Sequence, residues 1–281
     1  MWDFEHPPLA ASLLEHYTLH YTQPSLCADE LLASRADLGL IPIASLIPNL
    51  AIVPGCTIAS LDRVRSIQLV VKLKEGKLKD GNLRDGEKTH ALETVRTIAA
   101  DTASRSSLAY AEILFRKFLG STPTFIPASA NPIAMLHHAD AAILIGDPAL
   151  LALENRTEIE QALQHQCTWH DLAHEWHTRT DLPWVAAVWA VRPEALSIAH
   201  ITPTQLTSDL NNSRTHGLAN IEQLVEEWTP RIALPPATIR HYLTNNIHYT
   251  LDQDCIRTIQ LFRQYATEIG LLPPLPTLRF L

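Results

Sequence analysis

Positive charge is in short supply in this chain. Its 22 Lys and Arg stand against 30 Asp and Glu, a net charge of -8. Such a balance provides no basic footprint for nucleic acid and no polybasic face for anionic lipid, so neither is expected as a partner. An anionic small molecule would have to be held by local donors, against the overall field. Cysteine is sparse as well: Cys27, Cys56, Cys167 and Cys255 are far apart and form no Cys-x-x-Cys pair. That pattern excludes a disulfide framework and a thiolate zinc site and fits reduced, packed thiols. No apolar run approaches the length of a membrane span. The segment Met1–Pro8 has neither the basic nor the apolar region of a secretory leader, so a cytoplasmic location is expected. Glycine-rich phosphate loops and the Gly-x-Ser-x-Gly elbow are also lacking, which weakens nucleotide-dependent chemistry and acyl transfer.

What is present is an ordinary globular composition, 46% hydrophobic and 19% charged. The length suits one large domain or two of common size. Strands are expected at 36–43, 50–53 and 66–73, with Pro54-Gly55 as a turn after the second. The polar, aperiodic stretch 75–90 reads as a linker or surface loop. Beyond it strands at 95–100, 124–126 and 141–145 alternate with helices at 104–119 and 132–137. A helix-rich stretch through Trp176 precedes a strand at 184–192 whose Trp184 and Trp189 suit a core, and the rest is mostly helical. Alternation of this kind implies α/β architecture, with ligands beyond the C-terminal ends of parallel strands.

Two such strand ends carry candidate chemistry. After Ile98–Asp101 the chain places Thr102, Ser104, Arg105, Ser106 and Ser107 at a helix start. Unpaired backbone N–H groups, the helix dipole and small hydroxyls there suit a carboxylate or phosphate, though one hydroxyl alone would serve as an N-cap. Gly146-Asp147-Pro148 follows the strand 141–145 and equally fits a strand-to-helix turn. Ile58-Ala59-Ser60 could face both from another sheet. His170, His174 and His177 would share a helix face at i, i+4 and i+7, but without the His-Glu-x-x-His spacing or a completed shell no metal is expected.

The ordered set Ala36–Ile43, Val53–Ser60, Val64–Ile67, Asp101–Ala109 and Ile145–Leu150 resembles the chorismate dehydratases of the futalosine route to menaquinone. Asp171-Leu172, Glu175-Trp176 and Leu182–Arg192 extend it. The resemblance implies a type-2 periplasmic-binding-protein-like fold: two lobes, each a mainly parallel sheet flanked by helices, with a ligand cleft between them. Lobe one would comprise 1–93 and 182–281, and lobe two 94–181. It implies a carbon–oxygen hydro-lyase that removes water from chorismate to give 3-(1-carboxyvinyloxy)benzoate without a cofactor. Substrate would be bound by Ser60, Thr102, Ser106, Ser107 and Gly146, with Asp147 the one motif acid available for catalysis. The family pattern also implies a strand ending in a Tyr-Leu-Asn-type motif ahead of Trp2. Its absence reads as a start assigned about fifteen to twenty residues late, or as a shortened protein. The alternatives are the sister lyase that forms dihydroxynaphthoate and a non-catalytic solute-binding protein.

Overall fold

The structure is a computed structural model, and it describes residues 1–73, 91–101, 104–274 and 277–281. The expected loop at 75–90 and Thr102 lie outside the described residues. Two sheets organise the chain. The first is four-stranded in the order β1 (Leu38–Pro42), β8 (Trp184–Val191), β2 (Ala51–Ser60), β9 (His248–Leu251). The second is five-stranded in the order β5 (Thr124–Pro127), β4 (Thr97–Ala100), β6 (Ala141–Ile145), β3 (Ile67–Lys72), β7 (Cys167–Asp171).

The apolar runs 141–145 and 184–191 become central strands because both faces of each are covered. Ala141 to Leu144 are fully buried, as are Val185, Val188 and Ala190. One continuous core joins the two sheets, running from Ala28, Leu31 and Ile41 through Tyr110 and Trp176 to Phe262. Trp184 is only 1% exposed within it. Tyr110 is its centre, in ring contact with Trp176, Trp184 and Phe262 at 4.9, 5.5 and 4.6 Å. Aromatic contacts of this kind contribute about 0.5–1.5 kcal/mol each beyond burial.

Several expectations need correction. Pro54-Gly55 is not a turn: β2 runs straight through it as a bulge, its register against β8 shifting between Ile52 and Thr57. Gly55 supplies the positive φ of +91° that the bulge requires. Residues 167–171 were expected to be helical but form β7, and His248–Leu251 forms β9. Strand direction is more mixed than expected. β5, β4 and β6 are parallel, whereas β8 runs antiparallel to both β1 and β2. Finally, β3 pairs with β6 and β7 in the second sheet, so the chain leaves the first sheet between Ser60 and Ile67 rather than near Glu93. Composition along the chain does not carry sheet membership, which is set by the strand edges that β3 completes.

Candidate functional site

Strand directions put several helix starts on one edge of the second sheet. β4 and β6 run parallel, β3 opposes β6, and β7 opposes β3, so β4, β6 and β7 all end where β3 begins. At that edge the helices Arg105–Ile113, Asp147–Glu154 and Leu172–Thr180 begin. The crossing segment 61–66 arrives there from Ser60, the last residue of β2, which is 1% exposed and sits opposite Trp184.

The hydroxyl-rich turn is committed to the fold more fully than its sequence suggests. Ser104 caps the helix by accepting the Ser107 N–H, and its hydroxyl lies 2.9 Å from the Ser107 hydroxyl. Ser106, fully buried, donates to the Ala186 carbonyl of β8 at 2.9 Å and accepts the Ala44 N–H at 3.4 Å. One turn on, the Tyr110 phenol donates to the Val185 carbonyl at 3.1 Å and accepts the Val185 N–H at 3.3 Å. Arg105 pairs with Asp29 on the helix Pro24–Leu32 beside β1. The start of this helix is therefore a clamp between the two sheets. Two hydroxyls at 104 and 107 carry two protons for one mutual bond, so this pair retains a donor for an incoming anion.

Gly146 adopts φ +68° and gives its N–H to the Ser66 carbonyl at 2.7 Å, tying the helix start to the crossing segment. Asp147 follows, exposed at the helix N-terminus, and partial desolvation raises its carboxyl above the ordinary value. Beside it Asp171 caps the helix Leu172–Thr180 through the Ala173 and His174 N–H groups. It also accepts the N–H groups of Val64 and Arg65 at 3.3 and 2.6 Å, and burial pushes its carboxyl up against those bonds. Asp171 thus fastens the crossing segment to the second sheet.

Two residues at this edge carried no signal in the sequence. The Tyr242 phenol donates to Ser66 Oγ at 2.9 Å, and Asn246 Nδ2 donates to the Arg63 carbonyl at 2.9 Å. Both lie in a stretch whose only visible pattern was helical, and only tertiary packing brings them to the crossing.

The three histidines do not share a face. His170 lies in β7, buried, with Nδ1 3.0 Å from Glu175 and Nε2 2.9 Å from Thr168 Oγ1. His174 pairs with Asp62, and His177 Nδ1 lies 3.3 Å from the Leu182 carbonyl. A separate cavity of about 570 Å³ opens between the N-terminal helices and the helix Pro203–Ala219, lined by Asp3, Tyr17, His200 and Asp209 among others. None of the expected site residues lines it. Among the described residues no helix is long and apolar enough to cross a membrane.

Comparison with known proteins places these features in context. A family model described as menaquinone biosynthesis matches residues 3–268. A chorismate dehydratase of Thermus thermophilus is 27% identical over 268 residues, covering 92% of this chain and 89% of that protein. Among solved structures, a protein of Archaeoglobus fulgidus superposes with a TM-score of 0.64 at 12% identity, covering 96% of this chain and 94% of the other. The periplasmic aliphatic sulphonate binding protein of Escherichia coli does so with a TM-score of 0.58 at 15% identity, covering 94% and 83%. The two-sheet α/β arrangement is accordingly that of periplasmic binding proteins.

Proposed function

Since this chain belongs to the menaquinone biosynthesis family, we propose that it is a chorismate dehydratase, a hydro-lyase giving 3-(1-carboxyvinyloxy)benzoate and water. The observation that carries this reading is the end-to-end similarity to a relative of that name, over 92% of this chain and 89% of the relative. The chemistry suits the edge described above. Chorismate is a dianion, and helix starts gathered on one sheet edge offer backbone N–H groups and positive dipole ends to carboxylates. Loss of the C3 proton and the C4 hydroxyl makes the ring aromatic, so the elimination is downhill and asks the protein for orientation and charge stabilisation.

In this reading one carboxylate is bound by the first-turn N–H groups of the helix Arg105–Ile113, with the spare proton of the Ser104–Ser107 pair and, outside the described residues, Thr102. Ser106 contributes its backbone, because its hydroxyl is engaged with Ala186 and Ala44. Gly146 and Asp147 line the second wall, Ser60 meets the ligand from the first lobe, and Asp147 is the candidate acid or base. The two lobes are 1–60 with 182–281 and 67–181, joined at the crossing. The reaction places the protein with the cytoplasmic supply of chorismate.

The test is to mix the protein with chorismate, follow the loss of its ultraviolet absorbance and identify the product by mass spectrometry. Appearance of 3-(1-carboxyvinyloxy)benzoate is the expected result. Binding of chorismate without turnover would instead favour a solute-binding role, the one consistent with the fold shared with sulphonate binding proteins. The absence of both binding and turnover would overturn the assignment.

A further inference from the structure

The helix Pro236–His241 does not end in an ordinary cap. It passes into a π-helical turn, Tyr242–Asn246, before β9 begins. Turns of this kind are rare and recur at functional sites. From this one, Tyr242 reaches Ser66 and Asn246 reaches Arg63, so two side chains four residues apart hold the segment that links the sheets. The same Ser66 accepts the Gly146 N–H at its carbonyl, and Tyr242 packs against the apolar cluster that includes Leu150 of the helix Asp147–Glu154. The phenol therefore lies at the edge where the helix starts converge, and it comes from the opposite lobe. Asn246 is 7% exposed, and its buried Oδ1 has no hydrogen-bond partner among the described residues. An unsatisfied buried acceptor is destabilising, and a hydroxyl-bearing ligand is the chemical partner that would relieve it.

We propose that Tyr242 and Asn246 form a hydroxyl-binding subsite in which Asn246 Oδ1 accepts a hydrogen bond from the substrate's C4 hydroxyl and Tyr242 protonates that oxygen as it leaves. This rests on the dehydratase reading. The step balances: the C4–O bond breaks with its electron pair, the departing oxygen takes the phenolic proton, and water is released. The C3 proton passes to a base and the C3–H electrons complete the aromatic ring. The phenolate then regains a proton from solvent. Ser66, which accepts from Tyr242 in this structure, can turn its own hydroxyl to donate to the phenolate oxygen as it forms. Burial and the nearby charges of Asp147 and Asp171 keep the phenol protonated until then.

The experiment compares wild type with Tyr242→Phe and Ser66→Ala, measuring kcat, the Kd for chorismate by calorimetry, and the melting temperature. Tyr242→Phe retains the ring and its packing, so binding should hold while kcat falls by about a hundredfold or more, the lower end for general acid catalysis. Ser66→Ala leaves the acid in place and should lower kcat by about tenfold with unchanged Kd. A purely structural Tyr242 would lower the melting temperature and leave kcat per folded molecule unchanged, and that result overturns the proposal. If Tyr242→Phe does not fold, Ser66→Ala decides: a fall in kcat supports the subsite and an unchanged kcat refutes it. Failure of wild type to convert chorismate would instead overturn the dehydratase reading itself.

Discussion

Ser106→Ala separates two roles that one hydroxyl could hold. The Ser106 hydroxyl is buried, with the Ala186 carbonyl at 2.9 Å and the Ala44 N–H at 3.4 Å as its partners. Removing it leaves both backbone groups unpaired inside the junction of the two sheets. The carbonyl bond is the shorter, and loss of a partner there costs about 1–3 kcal/mol, with little added by the longer bond. Alanine recovers roughly 0.5 kcal/mol as the better helix former. The net expectation is a loss of about 0.5–2.5 kcal/mol, or roughly 1–10 °C in melting temperature for a chain of this size. Ser107→Ala is the comparison. Among the described residues its hydroxyl meets only Ser104 Oγ, and Ser104 still caps the Ser107 N–H after the change, so the loss should stay under about 1 kcal/mol. Thermal unfolding measures the stability difference, and kcat/KM with chorismate measures the effect on the reaction. Ser107→Ala should lower kcat/KM with little effect on stability. A Ser106→Ala protein that melts with wild type would refute the clamp, and unchanged kcat/KM in both variants would refute the carboxylate cradle.

Other consequences follow from local geometry. Burial alone would push the Glu175 carboxyl up, yet the His170 hydrogen bond and the Arg179 charge pull it below the ordinary 4.5. A lowered folded value contributes stability above the unfolded value and loses it as pH falls through the folded one. Glu175→Gln should therefore be less stable than wild type at pH 7, with the gap in urea-unfolding free energy narrowing below pH 4.5; a gap independent of pH would contradict this. At Gly55, an added Cβ would lie 2.3 Å from Asn211 Oδ1 at a φ of +91°, combining strain and clash. Gly55→Ala should cost about 2–4 kcal/mol in urea titration. Gly146→Ala meets no atom within 4 Å and bears only the strain of φ +68°. It should cost less, about 1–3 kcal/mol; the reverse order would contradict the reasoning.

One central strand of each sheet was legible because it is apolar throughout. Ala141–Ile145 in the second sheet and Trp184–Val191 in the first needed no partner information to be read as buried strands. β7 was missed for the opposite reason. Its Thr168, His170 and Asp171 are polar, and they are tolerated in a buried strand only because Glu175, Val64 and Arg65 satisfy them. The bulge at Gly55 escaped because Pro-Gly between apolar residues ordinarily signals a turn, and only pairing with β8 keeps the strand continuous.

The candidate site divides in the same way. Local order along the chain determined that helix starts rich in hydroxyls and a Gly-Asp pair follow strands, since strand ends, caps and turns depend on neighbours in sequence. It also determined the α/β class and, through the ordered motifs, the family. Tertiary structure alone decided that the Ser106 hydroxyl would be spent on β8, that the crossing would fall at 61–66, and that Tyr242 would arrive at Ser66 from 176 residues away. The physical reason is common to all three. A buried hydrogen-bonding group must find a partner wherever packing brings one, and the identity of that partner is a property of the folded chain.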